Sequence, residues 1–302
     1  MSGLADFKQL GKLGDGAYST VVKVTRVSDG QLYALKQVKL SHLSDKDREN
    51  ALNEVRLLAS ISHPAIIAFK EAFLDEPSRT LCIVQEFADE GDLFQRITAQ
   101  RGAKAYAPEV FFWNVFLGIC GGLQALHSMN ILHRDLKSAN VFLFGNGQVK
   151  LGDLNVSKVA RRGGLLLTQT GTPYYASPEV WMDSPYDEKS DMWSLGCVLF
   201  ETATLRPPFR AENMDGLYRK VTRGVYPRIP ACFSQQVADV IAWLLRVNPR
   251  ERPTVSELLA RLDVAAVAPQ GRAHLLKTIK LPKNPSELQK LLPPSRYVRA
   301  VK

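Results

Sequence analysis

His133-Arg134-Asp135-Leu136-Lys137-Ser138-Ala139-Asn140 and, a short way downstream, Leu151-Gly152-Asp153-Leu154-Asn155 bring two carboxylates and a carboxamide into one stretch of chain. That set suits phosphoryl transfer, which needs a group to accept or orient the proton of an attacking hydroxyl and oxygen ligands for Mg2+. Working outward, the apolar residues between and behind these motifs fit short strands at 141–144 and 148–151. Helical spacing runs over 110–129, 189–204, 214–224 and 235–245. The first part of the chain has a different pattern. Period-two alternation predicts strands over 7–13, 20–27, 31–38 and 81–87, with one helix over about 46–60. The fold class expected is α+β. It comprises a small antiparallel β lobe with one helix (1–87), a larger, mainly helical lobe (88–263) joined to it near 86–92, and a basic extension (264–302). No internal repeat is evident.

Two features of the small lobe bear on the same chemistry. Gly14-Asp15-Gly16-Ala17-Tyr18-Ser19-Thr20-Val21 lies between the first two strands, where glycines let backbone amides approach phosphate oxygens, although glycine turns between strands are often only turns. Alternation then sets Ala34, Lys36 and Val38 on one strand face. A lysine flanked by small apolar residues needs an anionic partner or ligand unless it simply reaches solvent. On the following helix Ala51, Val55, Leu58 and Ile61 form the apolar stripe, and Glu54 falls inside it. Either Glu54 pairs with Lys36, holding the ammonium near the α- and β-phosphates of a nucleotide, or it snorkels to solvent.

Together with Tyr33-Ala34-Leu35-Lys36, Glu54, the glycine loop, Ser177-Pro178-Glu179 and Asp191-Met192-Trp193-Ser194-Leu195-Gly196, the opening motifs stand in the order and spacing of a eukaryotic-type protein kinase, which the chain resembles over residues 5–263. The resemblance implies a bilobal fold, ATP and Mg2+ as cofactors, and a protein substrate. Residue by residue, it implies that Lys36 binds the α- and β-phosphates and Glu54 orients it. Asp135 would be the catalytic base or hydroxyl-positioning group, Lys137 would neutralise the γ-phosphoryl, and Asn140 and Asp153 would hold the metal. The ATP pocket would be lined by Leu13, Gly14, Asp15, Gly16, Ala17, Tyr18, Ser19, Val21 and Val22 of the glycine loop, and by Ala34. A gatekeeper at Gln85, hinge groups from Glu86, Phe87 and Ala88, and Asp92 toward the ribose would complete it.

Lys137 and the pair Gly171-Thr172 before the SPE motif are similar to serine/threonine kinases. The run Gly171-Thr172-Pro173-Tyr174-Tyr175-Ala176-Ser177-Pro178-Glu179, with Leu81 to Phe87 and Glu90-Gly91-Asp92-Leu93, resembles the NIMA-related (Nek) kinases. Arg134 before the base implies an activation loop ordered by phosphate, with Thr168 the position the family phosphorylates and Thr170 the runner-up; both also fit plain polar loop residues. Thr172 of the substrate P+1 loop is expected to contact Asp135 and Lys137, and Glu179 and Arg252 match the family's structural ion pair. Two positions depart from the pattern. Ser19 replaces the third loop glycine, and Asn155 replaces the glycine after Asp153-Leu154. They open an alternative, a nucleotide-binding pseudokinase or scaffold, against which all six catalytic and ligand side chains are present. Val156 implies threonine over serine as acceptor, Ala139 argues against a basic requirement at its substrate subsite, and the Nek resemblance implies an apolar residue three before the acceptor.

Composition narrows the other classes. At 302 residues, 45% hydrophobic and 23% charged, the chain can bury a substantial core. The most apolar stretch, 110–126, is interrupted by Asn114, Gln124 and three glycines, and reads as a buried helix rather than a bilayer span, so no membrane partner is expected. The net charge of +9 is concentrated beyond residue 263, where eight basic residues face Glu287 alone. A near-neutral body with a basic tail is not the interleaved basic and aromatic stripe of a nucleic-acid domain. That tail could dock on an acidic or cytoskeletal protein, act as a linker or pack back on the large lobe, and Ser286 with Gln289 could cap one short helix in it. Cys82, Cys120, Cys197 and Cys232 are widely spaced, as reduced thiols would be. Without a basic-then-apolar leader at the start, and with Ser2 after Met1, the expected location is cytoplasm or nucleus; the resemblance adds cytoskeletal, centrosomal or ciliary work.

Overall fold

A computed structural model describes residues 3–16, 19–42, 44, 55–56, 58–153 and 173–262. These fall into two compact units that divide in sequence between Asp89 and Glu90. In the first, β1 (Phe7–Asp15), β2 (Ser19–Arg26), β3 (Leu32–Lys39), β4 (Phe69–Asp75) and β5 (Thr80–Glu86) form one antiparallel sheet in the order β1-β2-β3-β5-β4. The period of two sorts the side chains of β2 and β3. Val22, Val24, Tyr33, Leu35, Cys82 and Val84 share one buried face, joined by Phe7 and Phe73, whose rings stack at 5.7 Å. The other face carries Val38, Leu81 and Ile83 against Val55, a described part of the expected 46–60 helix. β4 was not anticipated from the sequence. Its register shifts between Phe69 and Glu71, so the alternation is broken where it would have been read.

The second unit is mainly helical. It contains α1 (Leu93–Ala103), α2 (Glu109–Ser128), the hairpin of β6 (Val141–Leu143) and β7 (Val149–Leu151), α3 (Pro178–Trp181), α4 (Glu188–Thr204), α5 (Met214–Arg223), α6 (Gln235–Leu244) and α7 (Val255–Arg261). α2 is apolar on nearly every side because α4, α7 and β7 enclose it; Phe112, Phe116, Ile119, Cys120, Leu123 and Leu126 are all fully buried. It is long and apolar enough to cross a membrane by composition, yet most of it lies inside this unit, as expected of the 110–126 stretch. α4 begins on a capping box between Asp187 and Ser190, in which Asp187 N–H donates to Ser190 Oγ, and its buried face presents Trp193, stacked on Phe209 at 5.2 Å.

Gly118 sets how closely α2 approaches the hairpin. A Cβ at this position would fall 2.6 Å from both the Cβ and the carbonyl oxygen of Val149, so backbone and strand meet where only hydrogen fits. The Asn114 amide nitrogen donates to Gly147 O at 2.9 Å and fixes the hairpin's turn to the same helix. Gly118→Ala should therefore destabilise the protein by about 1–3 kcal/mol despite alanine's better helix propensity. Equilibrium urea denaturation measures this, and unchanged or increased stability would show that the contact is slack.

Candidate active site

β7 hands the chain to Gly152 and Asp153, while α2 hands it to the loop that carries His133 through Asn140, so the hairpin and the helix together position the loop's reactive groups. The loop's shape is set from beneath by Asp191 on α4, fully buried and surrounded by donors. Its Oδ2 accepts from His133 N–H at 2.9 Å and lies 2.9 Å from His127 Nε2. Its Oδ1 accepts from Arg134 N–H at 3.0 Å and from the Tyr186 hydroxyl. Burial alone would raise this carboxyl, but the hydrogen bond and charge of His127, the charge of His133 and the Tyr186 bond outweigh it and hold Asp191 below the ordinary value of 3.8. The clamp matters because Arg134 stands at φ +64°, a left-handed conformation that a non-glycine residue adopts only under constraint. Sequence reading quoted Asp191 as part of a motif without giving it this role.

Above the clamp the expected groups come together. Lys137 Nζ lies 2.9 Å from Asp135 Oδ2. The Asn140 amide nitrogen donates to Asp135 O at 2.7 Å and to Asp135 Oδ2 at 3.3 Å, which turns its amide oxygen toward any ligand role. Gly152 N–H donates to Asn140 O at 3.0 Å, tying the segment that bears Asp153 to the same loop. Asp153 itself takes φ +50°. Hard oxygen donors from an amide and a carboxylate fit Mg2+ chemically. Among the described residues no group of three or more His, Cys, Asp or Glu side chains converges to cage a metal, so phosphate and water would supply the other ligands.

The nucleotide-binding residues expected in the β unit can be placed on its sheet. Val21 pairs directly with Lys36, and Lys36 with Ile83, so the ammonium emerges from a strip of apolar strand residues. Ala34 is on the same face, across from Gln85. Gly16 N–H donates to Ser19 O at 2.6 Å and closes the hairpin. The Asp15 carboxylate is turned to Lys12 and Thr20, and those bonds hold it below its ordinary value, so only its backbone could serve a phosphate. Leu13 is exposed and Ala88 is buried.

Three expectations need correction or restatement. Val22 does not line a ligand site. Alternation turns it away from Val21 and Lys36 into the core beside Leu35, where it is 3% exposed. The Glu86 N–H already donates to Ala68 O at 3.0 Å and so is not the hinge donor, and Phe87 packs under Lys23 Nζ at 4.4 Å. Asp92 has a structural role that sequence reading missed: its Oδ1 accepts from Gln95 N–H at 2.9 Å and caps α1, with burial pushing the carboxyl upward against the bonds from Gln95 and Phe94. Ala17, Tyr18, Glu54, Asn155, Val156, Thr168, Thr170, Thr172 and the tail helix lie outside the described residues.

The sheet unit, the helical unit and this loop define a protein kinase fold, and residues 7–262 match the protein kinase domain; the chain belongs to that family. It is 40% identical over 260 residues to the mouse (Mus musculus) serine/threonine-protein kinase Nek1, covering 86% of this chain and 21% of that protein. Against the probable serine/threonine-protein kinase nek2 of Dictyostelium discoideum the identity is 38% over 256 residues, 84% of this chain and 61% of the relative. For human (Homo sapiens) Nek2 it is 35% over 277 residues, 89% and 62%. The chain thus spans between about a fifth and three fifths of the length of these curated relatives.

Proposed function

We propose that this chain is a Nek-like serine/threonine protein kinase that moves the γ-phosphoryl group of ATP to a hydroxyl of a protein substrate. The observation that carries this is the Asp135 carboxylate, bonded to both Lys137 and Asn140 on a loop clamped from beneath by Asp191. Asp135 orients the substrate hydroxyl and takes its proton as the hydroxyl oxygen bonds to the γ-phosphorus. The bond from that phosphorus to the β–γ bridging oxygen breaks, and ADP leaves. Lys137 offsets charge on the moving group, and Lys36 binds the α- and β-phosphates. When bound, Mg2+ supplies charge stabilisation to the phosphate oxygens, with Asn140 and Asp153 the residues that would hold it. Phosphate on Thr168 pairing with Arg134 would order the activation loop, and Val156 favours threonine as acceptor.

Incubating the purified chain with Mg2+, γ-labelled ATP and paired threonine and serine substrates tests the proposal. Label should enter substrate, more into the threonine member, and disappear with EDTA or in Lys36→Met. Binding of a fluorescent ATP analogue without any transfer would overturn catalysis and leave the pseudokinase reading.

A further inference from the structure

A groove of about 510 Å³ opens in the helical unit beside the catalytic loop, with Lys137 and Ala139 in its lining. This is within the size of ligand sites. Lys137 is itself 2.9 Å from Asp135, so residues beside a substrate hydroxyl at Asp135 come within reach of this groove. The walls are cationic. Arg101 comes from the last turn of α1, and Arg206 and Arg210 flank Pro207-Pro208-Phe209 after α4. None of these three guanidinium groups makes a hydrogen bond or ion pair among the described residues. The backbone of Arg206 and Arg210 is nonetheless held: Phe209 between them stacks on Trp193, and Lys220 Nζ donates to Arg210 O at 2.6 Å.

The one acid in the lining, Glu201, does not balance them. It is 2% exposed and accepts the Tyr175 hydroxyl at 2.6 Å, so its carboxylate faces inward. Burial pushes this carboxyl above its ordinary value, against the bonds from Tyr175 and Ser138 and the charge of Arg101. Unpaired, forked arginine donors around a desolvated floor match a carboxylate or phosphoryl group and repel a basic one. Ala139 adds no opposing charge.

We infer that the Arg101, Arg206 and Arg210 groove is a substrate-specificity site that receives an acidic side chain, carboxylate or phosphoryl, within a few residues of the acceptor hydroxyl. The inference deepens the proposed kinase activity and rests on it for the role of the bound segment as substrate.

The experiment compares threonine peptides that carry glutamate, phosphoserine, glutamine or lysine at successive positions around the acceptor. Two readouts are taken: kcat/KM, and the dissociation constant from fluorescence anisotropy of matching peptides with alanine at the acceptor, which needs no turnover. At one or more positions the glutamate or phosphoserine peptide should exceed the glutamine one by about tenfold in both readouts, and whichever gains more names the anion. The gain should fade with added salt and invert toward lysine in the double variant Arg206→Glu, Arg210→Glu. Equal values for glutamate and glutamine peptides, or a preference untouched by the double variant, would overturn the site. The two claims separate cleanly. Transfer without acidic preference removes the groove and leaves the kinase, whereas acidic preference in anisotropy without transfer removes the kinase and leaves an acidic-peptide site.

Discussion

Asp135→Asn should yield a folded protein that binds nucleotide but transfers phosphoryl about 10²- to 10⁴-fold more slowly, the range expected for removing a positioned proton acceptor. The asparagine oxygen can still accept from Lys137 and Asn140, which now bond the same carboxylate at 2.9 Å and 3.3 Å, so the loop keeps its anchors. Its backbone is held independently by the Asn140 bond to Asp135 O and by Asp191 beneath His133 and Arg134. The loss should therefore appear in kcat while thermal stability and nucleotide affinity stay close to those of the parent. Single-turnover label transfer checks it. Equal rates in parent and variant would mean that the transfer came from something else in the preparation.

Arg252→Met should destabilise the fold by about 3–5 kcal/mol, because it leaves a buried carboxylate without its cation. Arg252 is 1% exposed and uses all five N–H donors. Two meet the Glu179 carboxylate at 2.7 Å and 2.8 Å, and the others reach Lys189 O, Arg246 O and Val247 O. Burial pushes Glu179 upward, but the Arg252 bonds and charge, with the Ser190 hydroxyl, outweigh it and keep the carboxyl below its ordinary 4.5. A group depressed in the folded state stabilises above its unfolded value and loses that contribution as pH falls through the folded one. Without Arg252 burial dominates, the folded value rises above 4.5, and the penalty is full at neutral pH and relieved on acidification. Urea denaturation of both proteins at pH 7 and near 4.5 should show the deficit shrinking at the lower pH. A deficit that is constant with pH would assign the damage to lost packing against Trp193, whose ring lies 4.9 Å from the guanidinium.

The chemistry-bearing residues were the most legible part of this chain, because Asp135, Lys137, Asn140 and Asp153 sit close in sequence on one loop and one strand end. β2, β3 and β5 were equally plain, since the β2–β3 and β3–β5 pairings run without a register shift and each strand puts residues into the cluster with Phe7 and Phe73. β4 escaped because charged Lys70, Glu71 and Asp75 and a register shift obscure its period. α1 escaped for the opposite reason: it is polar nearly all round, burying only Leu93 and Ile97, and its clearest signal was Asp92 as a cap, a residue first assigned to a ligand. Asp191, Glu201 and the three groove arginines illustrate a further limit. Their partners lie far away in sequence, and no local pattern announces a long-range hydrogen bond. Val22 shows that neighbouring residues in a strand cannot share a role when one of them faces the core.

The carboxylate beneath the catalytic loop has one more consequence. Since Asp191 fastens His133 and Arg134 from inside the hydrophobic interior, the loop acquires its reactive posture when that interior assembles. The backbone of His133 and Arg134 is thus set by the same packing that buries α4.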